Sequence, residues 1–288
     1  MSSLPVTALR VEPDAALRHR LDDALDRALA DARMVGAVVL VAQDGELRYA
    51  RAVGLADREA GTPMRDDALF RLSSVTKPVV AAAAMRLVAA GRIALDEPFA
   101  RSLPGFRPTL ADGTPAVITL RHLLSHTAGL GYRFLEADGD GPYARAGVSD
   151  GMDRSGLSLA ENLRRIASVP LQFAPGTSWG YSLSMDVVGA LIEAVDGRPL
   201  ADAVAALVTT PLGMIDTAFV AHDAARFATP YVSTPGAPRR MADVDLVPVF
   251  DGTIGIRFEP ARVFDRDAWP SGGAGMVGTA RDCVTLLD

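Results

Sequence analysis

The sequence predicts an α+β fold, and three observations support this class. An amphipathic helix comes first, a β-rich hairpin follows it, and from Ser74 to about residue 215 the signals are mainly helical. At 288 residues the chain is long enough for one large domain or two closely associated ones. Its 49% hydrophobic content is that of an ordinary globular protein.

The N-terminal elements are predicted from periodicity and turn signals. Leucines recur at every fourth position with charges between them, which predicts an amphipathic helix over about residues 14–33. A β-rich run over residues 36–43, the turn pair Asp44-Gly45 and a return strand over residues 46–53 predict a hairpin. Residues 54–69 then have the composition of a polar loop.

The middle of the chain is predicted to be helical. Ser74 begins a helix that runs to about Ala90, and Gly91 ends it. Pro78 lies near the first turn of this helix, where a missing N–H costs least. Further helices are predicted over residues 118–127, 158–167, 182–195 and 200–208.

The last third of the chain carries weaker signals. Residues 228–270 hold many prolines and little periodicity, which predicts an irregular connector, and residues 279–288 are predicted to form a helix. A hairpin on its own is marginally stable and needs further strands. No such strands are evident before Asp288, so we expect the sheet to be incomplete in this chain.

Composition excludes several classes of function. The net charge is −6 and no basic stripe occurs, which argues against binding to nucleic acid. The single cysteine, Cys283, allows no intramolecular disulfide and no cysteine metal cage, and the four histidines form no H-E-x-x-H pattern. We therefore expect no metal and no cofactor. Neither a secretion signal nor an apolar stretch of membrane-spanning length is found, so we place the protein in the cytoplasm, away from membranes.

Lys77 is the only lysine beside 28 arginines. A chain with this bias keeps a lysine where arginine would fail, because arginine stays protonated and lysine can lose its proton. Lys77 follows Ser74 by three residues on the predicted helix, which places both side chains on one face. A neutral amine in that position can accept the proton of the serine and so produce an activated nucleophile.

Four segments occur in an order and at a spacing that resemble the serine β-lactamase-like hydrolases related to class C β-lactamases. Within that superfamily the chain is most similar to the family VIII carboxylesterases. The resemblance covers residues from about 14 to the last. The segments are Phe70-Arg-Leu-Ser-Ser-Val-Thr-Lys-Pro78, His122-Leu-Leu-Ser-His-Thr-Ala-Gly-Leu130, Phe173-Ala-Pro-Gly-Thr-Ser-Trp-Gly-Tyr-Ser182 and Ser271-Gly-Gly-Ala-Gly-Met276.

The resemblance implies roles for single residues. Ser74 corresponds to the nucleophile that accepts the acyl group, at a helix start that favours developing negative charge. Lys77 corresponds to the base that activates it. Tyr181 corresponds to the tyrosine of a Tyr-x-Asn motif, which shares proton transfer with the lysine and protonates the leaving group. Tyr132 corresponds to a residue that lines the acyl pocket, although a packing role is an equally good interpretation.

The resemblance also implies an architecture, a β-lactamase/transpeptidase-like fold with an antiparallel sheet flanked by helices and a mainly helical domain. Residues 1–70 and about 250–288 are assigned to the α/β part and residues 71–249 to the mainly helical part, which together form one catalytic unit. The family's last site motif, a Lys/His-Thr/Ser-Gly strand or a Trp-x-Gly equivalent, does not occur in the chain. We therefore expect a truncated form, in which activity is uncertain.

The favoured hypothesis is a serine carboxylesterase that cleaves short-chain esters through an acyl-enzyme on Ser74. Leu183 replaces the asparagine of Tyr-x-Asn, and the loss of this polar anchor weakens recognition of β-lactams more than hydrolysis of a simple ester. A β-lactamase, a D-alanyl-D-alanine peptidase, or another amide or lactone hydrolase is the alternative within the fold. A binding protein or inactive pseudoenzyme on the same scaffold is the alternative of another class. The substrate is predicted to be a small molecule, and the oligomeric state stays open.

Other motifs are interpreted as structural. Ser149 lies in a G-x-S-x-G sequence, but the residues before it make a poor strand, so a lipase-type elbow is not expected. His126 is predicted to bond the last carbonyls of its helix and not to serve in a triad. The glycine-rich run that begins at Ser271 is predicted to be a tight turn near the active site. Asp186 and Asp196 are predicted to be solvated or to cap a helix.

Overall fold

A helix and a small antiparallel sheet begin the fold in the computed structural model, which describes residues 15–287. They are α1 (Ala15–Ala30), β1 (Gly36–Gln43), β2 (Glu46–Asp57) and β3 (Thr62–Pro63), in the sheet order β1-β2-β3. The predicted helix and hairpin are confirmed, although residue 14, the predicted helix start, lies outside the described residues. The predicted polar loop over 54–69 is wrong at its beginning, since the second strand continues to Asp57.

A tight turn joins the two strands of this hairpin, and polar contacts on its second strand attach the helix. Asp44 and Gly45 adopt positive φ angles of 54° and 73°, which suit a tight two-residue hairpin turn. On the second strand, the Tyr49 hydroxyl donates to Asp22 Oδ1 at 2.6 Å, and Arg51 forms ion pairs with Asp22 and Asp26. These bonds fix α1 against β2.

A helical body occupies the middle of the chain. Its helices are α2 (Thr76–Ala89), α3 (Leu120–Leu124), α4 (Pro142–Arg145), α5 (Leu159–Ala167), α6 (Ser184–Asp196), α7 (Leu200–Val204) and α8 (Thr210–Leu212), and a π-helical stretch (Ala205–Thr209) joins the last two. Helices α2 and α6 pack against each other in the core, with Val80 and Ala84 of the first and Val188 and Leu191 of the second buried. Burial of such apolar side chains is the main stabilising contribution of this body.

Local signals explain where the helices begin and end. The Thr119 hydroxyl accepts from the His122 N–H, and the His122 ring accepts from the Thr119 N–H, so α3 begins with a capping box. The helix predicted over residues 118–127 is shorter than expected because His126 has a left-handed φ of 56°. Ser158 caps α5 by accepting from the Glu161 N–H.

Short strands and a final helix complete the described chain. The strands are β4 (Phe70–Arg71), β5 (Tyr231–Val232), β6 (Arg239–Arg240), β7 (Asp245–Val247), β8 (Ile256–Phe258) and β9 (Val277–Gly278), and α9 (Ala280–Leu287) follows. Four of these strands form two pairs, β5-β6 and β7-β8, inside the segment predicted to be an irregular connector. Strand β4 pairs with β9, so residues 70 and 278 are direct neighbours.

No helix between residues 15 and 287 is both long and apolar enough to cross a bilayer.

Candidate active site

Ser74 lies in a tight turn directly before α2. A 3-10 turn (Ser73–Val75) precedes the helix, and Ser73 adopts a left-handed φ of 44°. The Leu72 N–H donates to the Met276 carbonyl at 2.9 Å, which fixes the start of the turn against the C-terminal strand. The Ser74 side chain is exposed at the mouth of a cavity. The turn therefore presents this hydroxyl to a ligand.

Lys77 follows one turn later, and its side-chain nitrogen faces Ser74. Its Nζ donates to Ser74 Oγ at 3.1 Å and to the Gly273 carbonyl at 2.7 Å. The helix begins at Thr76 and not at Ser74 as predicted, but the 3-10 turn continues into it, so the spacing of three residues still brings the two side chains together. The carbonyl of Gly273 holds the amine beside the serine, and this partner comes from a loop almost 200 residues away in sequence.

Tyr181 completes the group of three polar side chains. Its Oη lies 2.6 Å from Ser74 Oγ, and either oxygen can be the donor. Two backbone bonds fix the segment: the Gly180 N–H donates to the His126 carbonyl, and the Leu183 N–H donates to the Gly131 carbonyl. The structure thus brings Lys77 Nζ and Tyr181 Oη each within hydrogen-bonding distance of Ser74 Oγ.

Tyr132 lies beside this group and is only 3% exposed. Its ring stacks on Phe134 at 4.5 Å and lies 5.2 Å from the Tyr181 ring, centroid to centroid. Burial raises the pKa of Tyr132 well above its usual range, so its hydroxyl stays protonated. Tyr132 lines the same cavity of about 190 Å³ as the three polar side chains, and it also packs in the core.

Asp186 is fully buried beneath this cavity, so the prediction of a solvated or capping side chain is wrong. Its Oδ1 accepts from the Ser271 hydroxyl at 2.7 Å and from the Gly273 N–H at 3.2 Å, while Oδ2 has no hydrogen-bond partner among the described residues. Desolvation raises the pKa of Asp186. Asp186 therefore fixes the loop whose Gly273 carbonyl holds Lys77. The one sequence signal for the buried position of Asp186 was that its carboxylate lies in an apolar stretch of helix.

The glycine-rich run is a tight turn at the site, as predicted. The Gly275 N–H donates to the Ser271 carbonyl at 2.9 Å. A side chain is excluded from Gly272, where a Cβ would lie 2.3 Å from the Met185 carbonyl oxygen, and a Cβ on Gly273 would lie 3.0 Å from the Asp186 carboxylate and would displace it. Glycine at these positions lets the loop approach α6 closely enough to reach Lys77.

His126 differs from its prediction, because its ring does not bond the end of its helix. The Nδ1 atom lies 3.1 Å from Ser182 Oγ, and the ring centroid lies 5.0 Å from that of Tyr181. Burial, together with the charge of Lys77, lowers the pKa of His126 to about 4. The imidazole is neutral at pH 7 and adds no positive charge beside Lys77.

This depressed pKa predicts a loss of stability in mild acid. The unfolded histidine titrates near pH 6.5 and the folded one near pH 4, so the unfolded state binds more protons in that window and stability falls as pH falls through it. We expect protonation of this histidine to lower the free energy of unfolding by about 1–3 kcal/mol between pH 6.5 and pH 4. His126→Asn, which tolerates the left-handed backbone, removes that component.

Urea unfolding of both proteins at pH 7 and pH 4.5 measures this difference. His19→Asn is the matched control, because His19 is 78% exposed. An identical pH dependence of stability in the wild type and in His126→Asn would contradict the assignment.

Ser149 has a structural environment, as predicted. It is 2% exposed, its hydroxyl donates to Asp153, and it accepts from the Gly151 N–H. No strand precedes it, so the geometry of a lipase-type elbow is absent at this position. Asp196 was predicted to be solvated or capping, but its side chain is only 2% exposed and binds Arg92 and Arg198 at the end of α6, so it is not solvated.

Comparison with known proteins identifies a family profile and several relatives that match this chain. The Beta-lactamase family profile matches residues 21–288. Esterase EstB from Burkholderia gladioli is 54% identical over 288 residues, which is all of this chain and 73% of that protein. The solved structure of EstCE1, a hydrolase with promiscuous acyltransferase activity, gives a TM-score of 0.91 at 44% identity, over 95% of this chain and 72% of that one. The D-amino acid amidase from Ochrobactrum anthropi SV3 gives 0.67 at 27% identity, over 95% and 70%.

Proposed function

The chain belongs to the β-lactamase family and is a serine ester hydrolase, and we propose that Ser74 is its nucleophile, with Lys77 and Tyr181 as its proton-transfer groups. Family membership and the α+β architecture of the β-lactamase/transpeptidase type confirm what the sequence predicted. The observation that carries the assignment is the contact of Ser74 Oγ with both Tyr181 Oη at 2.6 Å and Lys77 Nζ at 3.1 Å.

The contacts support a two-step reaction. Ser74 Oγ forms a bond to the ester carbonyl carbon, and its proton moves to the pair formed by Lys77 and Tyr181. Tyr181 then donates a proton to the alcohol oxygen as the carbon–oxygen bond breaks, and the acyl group stays on Ser74. Water attacks the acyl-enzyme by the reverse proton route and releases the acid.

The cavity supports esters whose acyl group has a short apolar chain next to the carbonyl. It encloses about 190 Å³, and apart from the three polar side chains its walls are mostly apolar, with Phe134, Met152 and Ile256 among them. Phe250, 58% exposed, lies at its rim. Apolar walls with a few polar groups are typical of ligand sites, and this volume accommodates a short acyl chain.

The buried position of Leu183 favours esters as substrates over β-lactams and peptides. The side chain is completely buried and does not line the cavity, so it offers no polar group to a substrate amide. A site that lacks a hydrogen-bonding anchor discriminates weakly in favour of amides. A β-lactamase, peptidase or other amide hydrolase remains the second candidate, since the D-amino acid amidase shares the fold. The cytoplasmic location stays a prediction.

A fluorophosphonate reagent tests the nucleophile. We expect one adduct on Ser74, mapped by peptide mass spectrometry, and hydrolysis of a nitrophenyl ester faster than of a cephalosporin. Ser74→Ala should lose both label and turnover. Ser149→Ala is the control and should keep the label on Ser74, because its hydroxyl is buried and already bonded.

Two outcomes would contradict the assignment. A preference for the cephalosporin would favour the amide hydrolase. Absence of any adduct, with no turnover, would favour a pseudoenzyme or binding protein on the same scaffold.

A further inference from the structure

A second cavity of about 250 Å³ lies next to the active-site cavity. The two share Ser73, Met152, Phe258 and Ala274 as lining residues, so they are direct neighbours. Most other walls of the second cavity are apolar side chains. They include Met241, Val263 and Met276. The exceptions are two arginines and one glutamate.

Arg71 lines this cavity from strand β4, three residues before Ser74. Its Nε and Nη2 donate to the Pro260 carbonyl at 3.0 and 2.8 Å, and Nη1 donates to the Ala228 carbonyl at 3.4 Å. A guanidinium has five N–H donors, so two are left without an acceptor among residues 15–287. Burial lowers the pKa of Arg71 to about 10, and the side chain is still a cation at neutral pH.

Arg262 lines the same cavity and is 5% exposed. Its Nε donates to the Asp153 carbonyl at 3.1 Å and its Nη2 donates to the Trp269 carbonyl at 2.5 Å. All acceptors of both arginines are therefore backbone carbonyls. Within the described part of the chain, neither guanidinium forms an ion pair with a carboxylate.

Glu259 is the one carboxylate in the walls of this cavity. Its Oε1 accepts from Arg257 Nε at 3.0 Å, and this ion pair neutralises it. The cavity thus holds a buried cation, Arg262, and a partly buried one, Arg71, and no carboxylate among residues 15–287 lies within ion-pair distance of either. Asp153, Asp186 and Asp265 act on Arg262 only from a longer distance. A cation that is shielded from water without an ion-pair partner is costly, and an anionic ligand that enters relieves this cost.

We propose that this cavity binds the carboxylate at the far end of an anionic acyl group, with Arg71 and Arg262 as its counter-charges. The substrate class is then esters of dicarboxylic acids in which one carboxylate is free. This inference rests on the proposed function, because the acyl group is held on Ser74 while its far end reaches into the second cavity. Ser73, beside the nucleophile, lines both cavities, so an acyl chain that leaves Ser74 can pass directly from one cavity into the other.

A binding experiment tests the cavity without requiring turnover. The 288-residue chain is titrated in a calorimeter with hexanoate and with hexanamide, which has the same shape and no charge. Hydrogen bonds to charged groups contribute more binding free energy than hydrogen bonds between neutral groups. We therefore expect hexanoate to bind at least about tenfold more tightly than hexanamide. Equal or tighter binding of hexanamide would overturn the proposal.

A kinetic comparison tests the substrate class. The free-acid form of p-nitrophenyl adipate should show at least about tenfold higher kcat/KM than its methyl-capped form. Equal rates would overturn the assignment of the acyl group to this cavity. If neither ester turns over and Ser74 takes no fluorophosphonate label, the proposed function fails. The hexanoate titration still decides whether the second cavity binds a carboxylate.

Variants identify the two cations. Arg71→Gln and Arg262→Gln should each lower the preference for hexanoate over hexanamide, and Arg164→Gln, at an exposed arginine of α5, should leave it unchanged. Thermal melting checks that each variant is folded. The wild-type comparison of the two ligands decides the proposal even if a variant unfolds. A preference for hexanoate that persists in both cavity variants would contradict the assigned residues.

Discussion

Changing Lys77 to methionine should lower kcat/KM for a short-chain nitrophenyl ester by at least about 10³-fold. Lys77 Nζ lies 3.1 Å from Ser74 Oγ, and among the described residues it is the one amine within hydrogen-bonding distance of that oxygen. Methionine has a similar length and packs in the same space, so the loss should arise from chemistry and not from unfolding. Steady-state kinetics of the two proteins, with melting curves of both, measure this effect.

Lys77→Arg separates the two roles that a cation can have here. Arginine keeps the positive charge but does not give up its proton at neutral pH. If Lys77 acts as a base, Lys77→Arg should be about as slow as Lys77→Met. An arginine variant within about tenfold of the wild type would show that charge alone is required, and the proposed proton transfer would be wrong. Arg86→Lys, on the solvent side of the same helix, is the matched control.

Asp186→Ala should destabilise the fold by about 3–5 kcal/mol and also lower kcat. The substitution leaves two buried donors, the Ser271 hydroxyl and the Gly273 N–H, without their acceptor. Because the Gly273 carbonyl holds Lys77, the displaced loop should also misplace the amine. Urea unfolding and ester kinetics at one pH measure both effects.

Asp186→Asn distinguishes positioning from charge. The amide oxygen can accept the same two hydrogen bonds, so this variant should recover most of the stability and most of kcat. Asp96→Ala removes an ion pair with Arg121 in which both side chains are exposed, and it should cost about 1 kcal/mol or less. Full stability of Asp186→Ala, or an asparagine variant as poor as the alanine one, would contradict the positioning role.

The nucleophile and its base were predictable because their relation is local. Ser74 and Lys77 are three residues apart, about one helical turn, and Lys77 stands out among 28 arginines. Tyr181 is distant in sequence, and only the resemblance to a family linked it to Ser74. The N-terminal helix and hairpin were equally predictable, since leucine periodicity and a two-residue turn are both short-range signals.

The supporting residues were not predictable, because their roles depend on contacts between distant segments. Nothing near Asp186 indicates that Ser271 and Gly273, 85 and 87 residues later, provide its hydrogen bonds. A lone carboxylate on a helix is usually solvated, and tertiary packing reversed that expectation. Arg71 likewise has its acceptors at Ala228 and Pro260, and no local pattern joins these positions.

The pairing of β4 with β9 has a consequence for the order of folding. The Met276 N–H donates to Thr76 Oγ1 across a separation of 200 residues, and Gly273 holds Lys77 across 196. Contacts of such high sequence separation require closure of a long loop, and they form slowly. During synthesis Ser74 is made early and its supporting loop late. A nascent chain that has not reached residue 278 should therefore have no hydrolytic activity, and the nucleophile becomes reactive only when the C-terminal strand closes over it.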